Sequence, residues 1–138
     1  MNKDTPITEF EMDFYRAYER TLRSLGKDAC KMSRKSIIER TILSPAETYY
    51  TNAEAVLRQF SYYSKYGKFN VKRRCIAEKY HDIMRRYKQL LPSRSGMKAI
   101  DIANEVALSQ APRFYINTKS AFYIYYRVLK KKCNEKVS

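Results

Sequence analysis

Leu43-Ser44-Pro45-Ala46-Glu47-Thr48-Tyr49-Tyr50-Thr51-Asn52 has a counterpart 65 residues further on, in Leu108-Ser109-Gln110-Ala111-Pro112-Arg113-Phe114-Tyr115-Ile116-Asn117. Leu, Ser, Ala, Tyr and Asn are identical between the two, and Tyr49 meets Phe114. Without a gap, the same offset pairs Tyr15 with Tyr80, Arg20 with Arg85, Leu25 with Leu90, Met32 with Met97, Ile37 with Ile102 and Lys65 with Lys130. Over residues 5–68 that makes 11 identities in 64 positions, where unrelated sequences of ordinary composition give about four. This pattern implies a tandem duplication, with units over residues 1–69 and 70–138.

Each unit reads as three helices, so the expected fold is all-α with about six helices. In the first unit, Thr5-Pro6 has the form of an N-cap followed by Pro at the first helical position. Phe10, Phe14, Ala17, Tyr18, Thr21, Leu22 and Leu25 then recur at helical spacing until Gly26. Ile37, Ile38, Thr41 and Ile42 mark a short second helix that stops before Ser44-Pro45. Thr51 or Asn52 caps a third, which turns Ala53, Val56, Leu57 and Phe60 inward and ends at Gly67. In the second unit, Val71, Cys75, Ile76, Tyr80, Ile83, Met84, Tyr87 and Leu90 form one apolar stripe. A break at Leu91–Gly96 separates it from a helix over Met97–Ser109. The last helix begins after Asn117 and carries Ala121, Phe122, Tyr125, Val128 and Leu129. Ala46 with Ala111, and Tyr50 with Tyr115, are expected at equivalent, largely buried places.

Composition removes several function classes. The chain has 138 residues with only three Gly and four Pro, too little turn material for a sheet-rich fold. No apolar run approaches the ~20 residues of a membrane span, and no secretory signal opens the chain. Cys30, Cys75 and Cys133 are odd in number and never form C-x-x-C, which argues against a disulfide framework or a zinc site and suits a reducing cytoplasm. His81, the only histidine, lies in a charged helical stretch with no nucleophile beside it. Neither G-x-G-x-x-G nor a P-loop occurs. The expectation is a non-enzyme with no cofactor and no metal.

Charge points to a partner. The chain carries 28 Lys+Arg against 14 Asp+Glu, a formal net charge of +14. Residues 1–69 hold 12 basic and 9 acidic side chains, and residues 70–138 hold 16 and 5. On this division the second unit owns +11 and the first only +3, a field that attracts polyanions.

A tri-helical unit whose last helix opens Asn117-Thr118-Lys119-Ser120-Ala121-Phe122-Tyr123 resembles helix-turn-helix modules. That resemblance implies a third helix in the major groove of DNA, with its first residues at base edges. Carried onto this chain, Lys119, Ser120 and Tyr123 would face outward, while Arg113 and Asn117 would meet phosphate. Arg127, Lys130, Lys131 and Lys132 would prolong the basic track. The link before the last helix runs to about eight residues, where the family's turn has three or four. The stretch Ala111-Pro112-Arg113-Phe114-Tyr115-Ile116-Asn117 also resembles short uncharacterised proteins of gut bacteria and their phages or mobile elements. That resemblance implies a bacterial, possibly phage-encoded source and no particular chemistry.

Thirteen Tyr and no Trp form the remaining signal. Tyr62, Tyr63 and Tyr66, and Tyr123, Tyr125 and Tyr126, fall on the third helix of each unit, and Tyr favours protein interfaces. The expectation is therefore non-catalytic binding of nucleic acid, double-stranded DNA first, through the second unit. The alternative is a structural or adaptor protein of a phage or mobile element, making protein contacts or self-association through its Tyr-rich helices.

Overall fold

The computed structural model describes residues 5–137, with side chains through Glu135. Six helices account for most of the chain: α1 (Glu9–Leu25), α2 (Arg34–Ile42), α3 (Ala53–Tyr66), α4 (Arg74–Leu90), α5 (Ala99–Leu108) and α6 (Thr118–Val137). No strand forms among the described residues. The fold is all-α.

The 65-residue offset carries α1 onto α4 residue for residue, brings α2 onto α5, and starts α3 and α6 at equivalent positions. It also carries one cap onto the other. The Asn52 side chain accepts from the Ala55 N–H at 2.8 Å, and the Asn117 side chain accepts from the Ser120 N–H at 2.7 Å. At the ends of α2 and α5, the Ser44 and Ser109 hydroxyls donate to Thr41 O and Val106 O at 2.6 and 2.7 Å. Each bond satisfies one backbone group that a helix end leaves open.

Helix order matches between the halves, but helix packing does not follow the halves. The chain divides into two compact units: one joins residues up to Ala46 with those from Pro112 on, and the other is Glu47–Ala111. The expected boundary at residue 69 is therefore corrected. In the first unit α6 packs on α1 and α2; in the second, α3 packs on α4 and α5. The third helix of each sequence half thus packs with the first two helices of the other half. The two boundaries, after Ala46 and after Ala111, lie at equivalent positions inside the repeated segment. Backbone bonds fix the entering chain in the same way each time: the Phe114 N–H donates to Ile42 O at 2.8 Å, and the Tyr49 N–H donates to Ala107 O at 3.3 Å.

The core of the first unit is Phe14, Ala17, Tyr18, Ile37, Ile38, Ile42, Phe114, Ala121, Tyr125 and Val128. The Phe114 ring meets Phe14 edge-on, with centroids 5.3 Å apart, and Phe10 at 6.1 Å. The second unit buries Tyr49, Ala53, Val56, Phe69, Tyr80, Ile83, Ile102, Ala103, Val106 and Ala111. Burying each large apolar side chain contributes about 1.5–3 kcal/mol. On α1, α3 and α4 the buried residues fall on the expected stripes, whereas Leu22, Leu25, Cys75, Ile76, Met84, Tyr87 and Leu90 of those stripes are only partly buried, and Ile124 of α6 is buried without having been expected.

Three local expectations change. The cap of α1 is Thr8 rather than Thr5: its hydroxyl accepts from the Glu11 N–H at 3.1 Å, and Glu11 accepts from the Thr8 N–H at 3.0 Å. This reciprocal capping box outcompetes a cap that has no acidic residue three positions later. Ala46 and Ala111 are both buried and Tyr115 is 9% exposed, but Tyr50 is only half-buried. Its φ of 53° is the left-handed conformation, unlike that of its counterpart. The helix-turn-helix module expected over residues 70–138 is not a packing unit, because α6 leaves α4 and α5 for α1 and α2.

Candidate nucleic-acid interface

α6 presents the expected site residues in two groups. Lys119, Tyr123 and Lys130 are exposed, and their spacing places them along one helical face with Tyr126. Asn117 is exposed but serves as the α6 cap. Ser120, expected outward, is half-buried.

Arg127, Lys131 and Lys132 do not form a free basic track. The Arg127 side chain is 15% exposed, and its Nε donates to Glu11 Oε2 at 2.8 Å. Its terminal nitrogen donates to Thr5 O and Pro6 O at 2.9 and 2.8 Å. Lys131 donates to Thr5 O at 3.2 Å. Lys132 lies 3.8 Å from Glu19 and 4.6 Å above the Tyr15 ring. The exchange of α6 explains this: α1 and the segment before it bring Glu11 and Glu19, where α4 has Ile76 and Met84 at the equivalent positions, together with the Thr5 and Pro6 carbonyls. Burial raises the Glu11 carboxyl, but the Thr8 N–H and Arg127 outweigh it and hold its pKa below the ordinary carboxylate value.

Arg113 is half-buried; its Nε donates to Phe114 O at 3.3 Å and its guanidinium lies 5.6 Å from the Tyr115 ring centre. The Tyr-rich face of α6 is also occupied from within. Arg34 donates to the Tyr126 hydroxyl at 2.9 Å and sits 5.3 Å from the Tyr125 ring centre. Burial, reinforced by Tyr18, pushes the Tyr125 hydroxyl up to about 12.

The exchange redistributes the charge. Counted over the observed units, the first holds 16 Lys and Arg against 8 Asp and Glu, and the second holds 12 against 6. The net charges are +8 and +6, so the expected concentration in the second unit does not hold. Six of the charges assigned to it travel on the segment from Pro112 onward.

A basic pattern that the sequence reading passed over lies on α1 and α4. Arg16, Arg20 and Arg23 are all exposed on one face of α1, and the offset places His81, Arg85 and Lys88, also exposed, at the same positions of α4. Arg85 additionally pairs with Asp82. Only Arg20 and Arg85 are identical between the halves, so the identities hid a pattern visible as i, i+4, i+7 spacing of cationic side chains.

Among the described residues, no three His, Cys, Asp or Glu side chains come together in a way that could hold a metal ion. No described helix is long and apolar enough to cross a membrane. Comparison with protein-family models, curated proteins and solved structures finds no match to this chain.

Proposed function

We propose that the protein is a non-catalytic nucleic-acid-binding protein, directed first at duplex DNA, that clasps phosphate through basic faces repeated on its two units. The observation that carries this reading is the recurrence of exposed cations at equivalent positions, Arg20 and Arg23 on α1 and Arg85 and Lys88 on α4, with Arg16 extending the face on α1. A solubilising surface needs no such register. Phosphates along a strand recur at fixed intervals and reward cations set on a rigid helix. Matching helix bounds, caps and crossing points support descent of both halves from one duplicated three-helix module, so one face would have been copied with its fold. The runner-up, an adaptor using Tyr-rich helices, draws on Tyr123 and Tyr126, which are 45% and 46% exposed.

Titration of a fluorescent random duplex separates the two. Five clasped phosphates give a log–log salt slope of about −4.5, and affinity falls roughly five-hundredfold between about 50 and 200 mM salt. Absence of duplex binding at low salt would favour the adaptor.

A further inference from the structure

We propose that the turn between α3 and α4, with the adjoining face of α3, binds a single-stranded segment of nucleic acid. Its phosphates would lie on Arg58, Lys68, Lys72 and Arg73, and its bases against Tyr62 and Tyr66. This rests on the reading of the chain as a nucleic-acid-binding protein and assigns a second surface and a second form of ligand.

Between Ala55 and Ala77 there is no acidic residue, while Arg58, Lys65, Lys68, Lys72, Arg73 and Arg74 are all exposed. Among the described residues, only Arg74 of these six cations makes an ion pair, at 3.3 Å from Glu78 with its side chain 94% exposed. Such a pair is weak. The backbone carrying the cations is fixed. Gln59 on α3 accepts from the Asn70 N–H at 2.8 Å and donates to Asn70 O at 3.3 Å. Phe69 is buried, with its ring 4.7 Å from those of Tyr63 and His81. Charge is thus presented from an anchored turn, which lowers the ordering cost of binding.

Two features select a single strand over a duplex. Tyr66 is 54% exposed and its ring lies 4.5 Å from that of Tyr62. Beside Tyr62, an open hollow of about 320 Å³ is lined by Ala55, Arg58, Gln59 and Asn70, near the lower limit for a small-molecule site. Accessible rings beside cations suit unpaired bases, whose faces are free to stack; a duplex offers none.

The first unit supplies an internal contrast. Ile7-Thr8-Glu9 of the first half stands where the second has Lys72-Arg73-Arg74. α1 opens with a capping box and acidic residues in its first turn, whereas α4 has no side-chain cap and no acid there. Cations at a helix N-terminus oppose its dipole. A phosphate held among them relieves that repulsion.

The test uses the full chain with a fluorescent oligothymidine of about 12 nucleotides, within the usual site range, and a duplex of equal length, each over a salt series. The parent should bind both probes, the duplex through α1 and α4 and the single strand through the turn between α3 and α4. The combined change Lys68→Gln, Lys72→Gln and Arg73→Gln should lower the single-strand salt slope by about 2, at roughly 0.7 per contact. Its melting temperature should be unchanged or raised, since the helix start loses repulsion. Tyr66→Ala should weaken single-strand binding roughly tenfold with the slope retained. Single-strand binding by the triple variant with the parent's affinity and slope overturns this inference, as does a parent that binds duplex alone; in both cases the reading of the chain as a nucleic-acid binder stands. Failure of the parent to bind either probe overturns both.

Discussion

Tyr49 and Phe114 differ by one hydroxyl, and that hydroxyl matches the partner each has found. Tyr49 donates to the buried Asp82 of α4, and Arg86, 3.8 Å from the same carboxylate oxygen, lies 5.3 Å from the Tyr49 ring centre. In the first unit the positions of Asp82 and Arg86 are held by Ala17 and Thr21, and Phe114 sits among Phe10 and Phe14. Returning each third helix to its own half would set Tyr49 beside Ala17 and leave Asp82 facing Phe114, an expensive loss of a buried charge's partner. Tyr49→Phe should therefore cost about 1–3 kcal/mol in a denaturant titration. Arg127→Ala should cost about 2 kcal/mol, because Glu11 loses a charged partner, whereas the exposed Lys130→Ala should stay within about 0.5 kcal/mol. If Lys130 proves the more destabilising of the two, their roles are reversed. The titrations have opposite signs. Glu11 has a depressed folded pKa, so its contribution is full above the unfolded value and disappears as pH falls through the folded one. Glu11→Gln should flatten the acid side of the stability curve. Tyr125 titrates at about 12 in the fold, against about 10 unfolded. Its neutral form supports folding below pH 10, and that support is lost between about pH 10 and 12. Tyrosine absorbance and helical circular dichroism should change together in that window.

At the scale of elements, the helices were legible because their apolar positions repeat at three and four residues; Asn117 marked one start, and the choice between Thr51 and Asn52 at the other is decided by the Asn52 cap. The first start was misplaced because Thr5-Pro6 and Thr8 both look like caps, and only the reciprocal bond with Glu11 separates them. Helix exchange was not legible. Apolar stripes fix which face of α3 and α6 is buried, but both halves offer an apolar groove, so periodicity cannot say whose groove is filled. The discriminating feature is the hydrogen bond from Tyr49 to Asp82, set against the ring contacts of Phe114 with Phe10 and Phe14, and it is seen only once the partners are known. The candidate site suffered for the same reason: Lys119, Tyr123 and Lys130 are outward as spacing demands, while Arg127, Lys131 and Lys132 meet α1, which the expected unit did not contain. A fragment test follows from the observed units. Residues 47–111 hold α3, α4 and α5 in one continuous stretch and should show cooperative thermal unfolding alone. Residues 70–138 should not form a compact monomer, since α6 lacks its partners there. A cooperative monomeric 70–138 fragment beside an unfolded 47–111 would restore the boundary at residue 69.

For the whole molecule, the exchange turns a lopsided sequence into a balanced one. Halves of +3 and +11 become units of +8 and +6, and the proposed phosphate contacts fall on α1 in one unit and on α4 in the other. On that reading a polyanion would meet two comparable surfaces rather than one strong and one weak. The decisive measurement is the salt dependence of duplex binding for two matched variants, Arg20→Gln with Arg23→Gln on α1, and Arg85→Gln with Lys88→Gln on α4. Asp82 keeps Tyr49 and Arg86 as partners in the second, so both variants should remain folded. Each should lower the magnitude of the log–log slope by about 1.8, at roughly 0.9 per lost phosphate contact. Equal reductions are the predicted result; a parental slope in both variants, or a loss confined to α4, would contradict it.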